Sequence, residues 1–373
     1  MSTIELQRAQ GRGGLLSCAC DPLMMPDSVD AAPVTRWPLT IFTLSNAVTI
    51  FAQALVLTIV PVGGAVLGSG VTVALPFAAL LLGAAVGTVP AAWLTGVDQR
   101  WGFALGATFG VAGAALGAFG IVAGLFGAFV LGSFWLGLAQ GFGNFYRHGA
   151  AGLGRRDARA IALVFGSGVA AAFAVPGALT AASALAGPFA TAATLVIAAL
   201  AHFFASALAF FLPRQRGFVV PGDTGPVPHY AFATITGALS WGAMALMMGL
   251  APSLMLGCGI GLSQTSGTVA WHIVAMYAPA LLLGFVITPK RAPLACLTGL
   301  ALSAGAIGLA FVAQTQALFT CALIMSGIGW SATTLGATTL LHAQANPTRA
   351  QLALHDFMLL AAALAGSAAV ALA

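Results

Sequence analysis

The sequence predicts an all-α polytopic membrane protein, and its composition and its apolar runs are the main evidence. Hydrophobic residues make up 60% of the 373 positions and charged residues only 6%, whereas a soluble domain has about a quarter charged residues. Apolar runs of about 20 residues recur along the chain, and each is long enough to cross roughly 30 Å of hydrocarbon as a helix. The 47 glycines favour the close helix–helix contacts on which membrane bundles depend.

Hydropathy places about eleven membrane spans along the chain, and the segment before the first span differs in composition. Residues 1–36 contain acidic side chains among small and polar ones, with no basic segment running into a short apolar core. We therefore expect a cytoplasmic tail and not a cleaved signal peptide. The predicted spans are 38–66, 71–96, 103–121, 123–146, 159–184, 188–212, 230–256, 266–288, 293–313, 316–341 and 352–373.

The basic residues predict the orientation, because all of them fall before the first span or after an even-numbered one. By the positive-inside rule that side, with the N-terminus, faces the cytoplasm. The net charge of +5 is thus explained by the membrane topology and does not indicate binding to nucleic acid. We expect the lipid bilayer as a partner and no nucleic acid. The residues are Arg8, Arg12, Arg36, Arg100, Arg147, Arg155, Arg156, Arg159, Arg214, Arg216, Lys290, Arg291 and Arg349.

A polar connection over 213–229 follows the sixth span and divides the chain. The prediction is a tail over 1–36, an N-terminal six-helix bundle over 37–212, a cytoplasmic linker over 213–229 and a C-terminal helical bundle over 230–373. Six spans, a linker and a second set of spans resemble the major facilitator superfamily, whose halves rock around a central site. The motif "GVDQRWG" over 96–102 is similar to the family's loop after the second helix. The resemblance implies twelve spans, and the chain stops within or just after the eleventh.

Methionine is concentrated in the second half of the chain, where it forms a stripe on the seventh span. At about 100° per residue, Met248 lies about 40° round the helix from Met244, and Met255 about 20° from Met248. Met247 points toward a neighbouring face. Outside the tail, the methionines are Met244, Met247, Met248, Met255, Met276, Met325 and Met358.

The eighth span offers a similar pair, because His272 and Met276 are four residues apart with Thr265 and Thr268 on the same side as the histidine. Thioether sulfur and imidazole nitrogen are suitable ligands for copper, above all Cu(I). Packing is the alternative for the methionines, because this flexible side chain fills gaps. A hydrogen bond to a neighbouring helix is the alternative for His272.

The motifs "MALMM" and "HIVAM" resemble the MxxxM and HxxxM motifs on helices seven and eight of the CcoA-type copper importers, the CalT family of the major facilitator superfamily. This resemblance implies copper import across the bacterial inner membrane, which supplies copper for assembly of cbb3-type cytochrome c oxidase. It nominates Met244, Met248, His272 and Met276 as copper ligands. Copper is then the transported substrate and not a cofactor, and cytoplasmic copper chaperones become candidate partners. Cys18 and Cys20 form a CxC motif in the tail. Either this motif passes copper onward in the cytosol, or it belongs to a variable extension.

Charged residues near the spans give little sign of an ion-coupled mechanism. We expect Arg147 to act as a structural anchor, and Asp356 to lie near the cytoplasmic interface because Arg349 is close in sequence. No other acidic residue falls within a span, so a carboxylate for proton coupling is not predicted. Facilitated import, drawn by intracellular copper chelators, is the simpler expectation.

Three classes of function remain open. The first is the copper importer. The second is a major facilitator carrier of an organic solute or a metal chelate, in which the methionines only pack. The third is a membrane enzyme, which neither an extramembrane domain nor a cluster of catalytic side chains supports, so we do not expect an enzyme.

Overall fold

The computed structural model describes residues 36–153, 158–213, 227–343 and 347–372. Residues 1–35 of the predicted tail, with Cys18 and Cys20, lie outside these ranges, and so does most of the predicted linker, residues 214–226.

The described residues form α-helices joined by short connections, with 3-10 turns at Gly70–Ala74 and Gly187–Phe189. The helices are α1 Arg36–Leu67, α2 Leu75–Val97, α3 Gln99–Ala123, α4 Phe126–Gly143, α5 Tyr146–Ala151, α6 Ala158–Gly166, α7 Val169–Ala186, α8 Ala190–Ala209, α9 Tyr230–Gly257, α10 Leu262–Leu283, α11 Ala292–Val312, α12 Gln316–His342 and α13 Arg349–Leu372.

The helix bounds confirm the predicted spans to within a few residues. In the described part of the chain, nine helical segments are long and apolar enough to cross a membrane, and a shorter apolar helix covers 267–283. One of the nine, 158–209, turns back at Gly187, so that α7 packs against α8. With that segment counted as two crossings and α10 as one, the described residues give eleven crossings.

Local sequence explains where the helices begin and end. The side chain of Asp98 caps α3 by accepting a hydrogen bond from the backbone N–H of Arg100. Gly124 ends α3 in the left-handed conformation, with a φ of 67°, which glycine adopts without steric cost. Pro76 and Pro293 lie in the first turns of α2 and α11, where the missing N–H has no intrahelical partner to lose.

Two of the spanning segments are interrupted along their length, and both breaks matter for the site described below. Span four stops at Gly143 and resumes as α5 at Tyr146. Span five is interrupted between Gly166 and Val169, where the Ser167 hydroxyl donates to the Val164 carbonyl at 2.6 Å. Such local side-chain hydrogen bonds compete with the helical ladder and allow the chain to bend.

Glycines bring α2 and α4 into backbone contact. A Cβ atom added to Gly137 would lie 2.0 Å from the Leu80 carbonyl oxygen, and one added to Gly83 would lie 2.1 Å from the Phe134 carbonyl oxygen. Any side chain at these positions would force the two helices apart. This packing through small residues holds membrane helices together where lipid gives no hydrophobic drive.

We call α1–α8 the first group of helices and α9–α13 the second group. The basic end is the end of the molecule where α1, α3, α6, α11 and α13 begin. Described contacts between the groups lie toward this end. Thr88 on α2 donates to the Ala353 carbonyl on α13 at 3.3 Å, Gly166 and Gly168 pack against α10, and Gly284 packs against Ala162.

Candidate functional site

A cavity of about 330 Å³ lies between the two groups of helices. Its wall comes from α1, α4, α5 and α6 of the first group and from α9, α10 and α12 of the second. Leu57 and Thr58 line the cavity on α1 and are exposed, whereas the wall toward the basic end is buried. The cavity therefore opens away from the basic end.

The cavity wall toward the basic end is aromatic. Trp330 lies at the centre of this wall, with ring centroids 5.2 Å from Phe165, 5.2 Å from Trp241 and 5.7 Å from Tyr277. Phe165 belongs to the first group and the other three residues to the second group, so both groups form the wall. Such a surface binds flat, polarisable molecules through stacking and edge contacts.

Polar side chains of the first group lie beside this aromatic wall. The lining includes Asn46, Gln53, Gln140, Asn144 and Arg147. The Asn46 amide donates to the Val164 carbonyl at 2.6 Å and lies 3.1 Å from the Ser167 hydroxyl, which ties α1 to the break in span five. Gln53 extends over Gly143, where an added Cβ would lie 2.6 Å from the glutamine Nε2.

Several hydrogen-bond donors on the cavity wall are buried and have no partner among the described residues. Buried polar groups are usually hydrogen-bonded, and an unpaired one costs about 1–3 kcal/mol of free energy. A ligand that accepts hydrogen bonds would pair donors of this kind. These donors are Gln53 Nε2, Asn144 Nδ2, Arg147 Nε and Trp330 Nε1.

Arg147 also reaches behind the cavity, where it joins a buried cluster of charged and titratable side chains. Its guanidinium pairs with Asp356, and His148 Nε2 lies 2.8 Å from the second carboxylate oxygen of Asp356. His148 Nδ1 lies 3.0 Å from His342 Nε2. Asp356 and His148 have no exposed surface. The cluster connects α5 of the first group to α12 and α13 of the second.

This cluster corrects two predictions. Asp356 is fully buried among these side chains, about two turns inside the start of α13. Arg147 is not only an anchor, since it lines the cavity and pairs with the carboxylate across the two groups. A buried carboxylate is thus present, contrary to the expectation that none would be found.

The predicted copper ligands separate into two sets. Met244, Met248 and Met276 all line the cavity, and Met244 and Met276 also pack at the edge of the core around Trp241 and Trp330. His272 does not line it. Residues 269, 273, 276 and 277 form the cavity face of α10, and His272 lies on another face of that helix.

His272 faces α12. It is fully buried, and its Nδ1 donates to the Leu323 carbonyl at 2.6 Å. Thr268 points the same way, with its hydroxyl 3.2 Å from that of Thr320. The hydrogen bond to a neighbouring helix, the alternative left open from the sequence, is therefore the contact that His272 makes. Its Nε2 is buried without a partner among the described residues.

The other methionines of the stripe lie outside the cavity. Met255 is fully buried against Ala313 and Phe319, so it does not extend the cavity stripe as its helical angle suggested. Met247 packs in a separate cluster that also includes Met325, which agrees with its predicted direction away from the stripe. Pro252 lies inside α9 three residues before Met255, and this end of the helix packs against different neighbours from those of Met247.

Sequence inspection missed most of the polar and aromatic cavity residues. One available signal was the set of amides within predicted apolar spans, Asn46, Gln53, Gln140 and Asn144, because polar side chains at membrane depth usually line a cavity or path. Trp330 had no comparable signal, since tryptophan also occurs on lipid-facing surfaces.

Comparison with known proteins gives the class to which the chain belongs. No protein-family model matches the chain. The chain is 30% identical over 351 residues to the riboflavin transporter RfnT of Brucella anthropi, covering 88% of this chain and 86% of that protein. Two helical groups around a central cavity, together with this relative, define a membrane carrier. The chain belongs to the major facilitator superfamily of membrane transporters.

Solved structures give the same fold. The human organic anion transporter MFSD10 (TETRAN) superposes with a TM-score of 0.69 at 14% identity, covering 91% of this chain and 93% of that one. The fucose:proton symporter FucP of E. coli gives 0.64 at 13% identity, over 89% and 90% of the two chains. A bacterial homologue of the iron transporter ferroportin in an outward-facing state gives 0.65 at 15% identity, over 90% and 92%. The protein is therefore a multi-pass membrane transporter with the major facilitator fold.

Proposed function

We propose that this transporter imports a flat organic heterocycle rich in hydrogen-bond acceptors, and that riboflavin is the substrate to test first. The main support is the set of four unpaired donors, Gln53, Asn144, Arg147 and Trp330, on the wall of one aromatic cavity. The carbonyl oxygens and ring nitrogens of a flavin are acceptors of that kind. The name of the RfnT relative adds independent support.

The size and lining of the cavity agree with this proposal. A volume of about 330 Å³ falls at the small end of the range of about 300–1,000 Å³ for small-molecule sites. The flat ring would stack against the wall formed by Phe165, Trp241, Tyr277 and Trp330, while the amides and Arg147 bind its polar edge. Aromatic contact with precisely placed polar groups is the usual composition of such a site.

The orientation follows from charge. All thirteen Lys and Arg residues fall on the side of the basic end or in segments connected to it, and positive residues remain on the cytoplasmic side. We therefore place the basic end and the N-terminus in the cytoplasm of a bacterial inner-membrane protein. The cavity then opens toward the outside, which is the state that takes up an imported solute.

The test is uptake of riboflavin into proteoliposomes, followed by its fluorescence. We expect saturable uptake by the wild type and strongly reduced uptake by Gln53→Ala and Asn144→Ala. Gln99→Ala is the matched control, because Gln99 is also a buried amide, with an unpaired Oε1, but does not line the cavity. Uptake no faster than in empty liposomes would overturn the proposal, and so would equal losses in all three variants.

Copper import is the second candidate, and specific observations favour it. Met244, Met248 and Met276 line one cavity. His272 donates one ring nitrogen to a carbonyl and leaves Nε2 unpaired, as metal-ligating histidines do. A copper site of all four residues requires α10 to rotate so that His272 enters the cavity. The N–H donors and the cation of Arg147 favour an acceptor-rich solute over a metal cation, so we place copper second.

The two candidates differ in their response to His272→Ala. If copper is the substrate, this variant loses radioactive copper uptake into cells. If a flavin is the substrate, riboflavin uptake persists because His272 lies outside the cavity. Met247→Ala and Met325→Ala are the controls, since both side chains pack in a cluster away from the cavity. Riboflavin uptake without copper uptake by the wild type would exclude the copper candidate.

A further inference from the structure

The methionines of α9 and α10 divide into two kinds by their burial. Met247 and Met255 are fully buried and fill space among apolar neighbours, which is the ordinary packing role of this flexible side chain. Met244, Met248 and Met276 are only half-buried, and all three line the cavity. Packing within the second group therefore leaves part of these three side chains free to contact a molecule in the cavity.

The cavity lining is chemically divided between the two groups of helices. The first group supplies four amides and the guanidinium of Arg147. The described lining residues of the second group include no amide and no charged side chain. Beyond the aromatic wall, the second group contributes Met244, Met248, Val269, Ile273 and Met276. A molecule in this cavity therefore meets polar side chains on one side and apolar, sulfur-containing side chains on the other.

The three methionines continue the aromatic wall toward the mouth of the cavity. α9 begins near the basic end, where the Tyr230 hydroxyl donates to the Gln351 carbonyl of α13 at 2.9 Å. Met244 and Met248 follow Trp241 on α9 and so lie about 4.5 and 10.5 Å further from that end, at 1.5 Å per residue. Met276 directly precedes a residue of the wall on α10, and both Met244 and Met276 pack against the core that contains the wall.

We propose that Met244, Met248 and Met276 bind the apolar edge of the substrate, so that the two unlike sides of the cavity fix its orientation. This inference rests on the proposed flavin substrate. A flavin has its carbonyl oxygens on the pyrimidine ring and its two methyl groups on the benzene ring at the opposite end. The pyrimidine ring then faces the amides and Arg147, and the dimethylbenzene ring faces the methionines. Thioether sulfur makes favourable contacts with the edges of aromatic rings, and the unbranched side chain adapts to their shape.

Two riboflavin analogues test the orientation in proteoliposomes, one with a methyl group on N3 and one with a butyl group in place of the methyl group at C8. We expect Met248→Ala to raise the KM for riboflavin about tenfold, because the contact of roughly two methylene groups is lost. The same variant should lower the KM for the C8-butyl analogue below the wild-type value, because the larger substituent fills the space. Met244→Ala and Met276→Ala should change the preference in the same direction, and the effect of the N3-methyl group should stay as in the wild type.

Two further variants separate substrate contact from packing and from metal binding. Met247→Ala is the matched control, since Met247 is the neighbour of Met248 in sequence but is fully buried outside the cavity. It should leave the KM ratio of the two analogues at the wild-type value. Met248→Leu restores an apolar side chain of similar size without sulfur, so it should recover most of the riboflavin affinity lost in Met248→Ala. No recovery would mean that the sulfur itself is required, as for a metal ligand, and would overturn the proposal.

Gln53→Ala tests the opposite side of the cavity. This variant should reduce the effect of the N3-methyl group without improving uptake of the C8-butyl analogue. Improved uptake of the C8-butyl analogue by Gln53→Ala, or an unchanged preference in all three methionine variants, would overturn the inference while riboflavin uptake by the wild type still supports the flavin proposal. If the wild type takes up neither riboflavin nor either analogue, the flavin proposal itself fails, and this inference fails with it.

Discussion

At the scale of single residues, four side chains of the cavity wall each have one donor atom without a partner among the described residues. Within the part of the chain that the structure describes, these unpaired donors belong to Gln53, Asn144, Arg147 and Trp330. Each unpaired donor lowers the stability of the folded protein, whereas an apolar side chain at the same position would not. A ligand that pairs these donors would offset this loss of stability. A carrier must bind and release its substrate, and unpaired groups that a ligand satisfies for a limited time meet that requirement.

Trp330→Phe tests the role of one donor. The replacement keeps an aromatic ring among Phe165, Trp241 and Tyr277 but removes the indole N–H. Since a hydrogen bond contributes about 1 kcal/mol and 1.4 kcal/mol corresponds to a factor of ten, we expect the KM for riboflavin to rise roughly five- to tenfold with little change in protein abundance. Trp271→Phe is the control, because Trp271 is 60% exposed and does not line the cavity. An unchanged KM for Trp330→Phe would show that its N–H does not contact substrate.

His272→Ala separates packing from ligand binding. Loss of the hydrogen bond to the Leu323 carbonyl leaves that acceptor unpaired and opens a space between α10 and α12, which costs about 1–3 kcal/mol of stability. We expect a lower melting temperature for the purified protein and a riboflavin KM equal to that of the wild type. A raised KM at unchanged stability would place His272 in the binding site.

At the scale of helices, the apolar pattern of the sequence predicted where the helices lie. It predicted only in part which side chains of a helix face the cavity. The apolar spans follow from the requirement that backbone polar groups be satisfied inside the membrane, so their bounds were predictable. Helical angles correctly paired Met244 with Met248. They could not show which face of α10 meets the cavity, because that depends on the neighbouring helix α12. The partnership of Arg147 with Asp356 joins residues 209 positions apart, which no local pattern indicates.

The close packing of α2 against α4 can be tested by substituting glycines on α4. Gly137 lies against the Leu80 carbonyl with no room for a Cβ atom, whereas an added Cβ at Gly127 on the same helix meets nothing within 4 Å. We expect Gly137→Val to destabilise the purified protein by about 1–3 kcal/mol or more, as overpacking does. Gly127→Val should leave the melting temperature nearly unchanged. Similar melting temperatures for the two variants would contradict the tight packing of these helices.

At the scale of the whole molecule, the positions of the contacts between the two groups of helices define one conformational state of a carrier. Described contacts between the groups of helices lie toward the basic end, and the cavity opens at the other end. In a fold whose halves rock around a central site, this is an arrangement closed on one side and open on the other. Transport requires the contacts at the basic end to break.

The orientation in the membrane has its own test. Reporter tags at the N-terminus and within 213–229 should both report a cytoplasmic location, because all basic residues lie on one side of the predicted spans. A periplasmic report from either tag would reverse the proposed direction of transport. It would leave the cavity and its lining residues as described.

A reversible cross-link tests whether the basic end must open. A Cβ atom on Gly284 would lie 2.4 Å from that of Ala162, which belongs to the other group, and a disulfide needs a Cβ–Cβ distance of about 3.5–4.5 Å. A modest shift therefore allows Ala162→Cys and Gly284→Cys to join in a background without native cysteines. We expect oxidation to stop riboflavin uptake and reduction to restore it, because the bond holds the two groups together at the closed end. Gly242→Cys with Ala362→Cys is the matched control, since those Cβ atoms lie 3.6 Å apart within the second group, and its oxidation should leave uptake intact. Full uptake by the oxidised 162–284 pair would mean that substrate crosses without separation of the groups at the basic end.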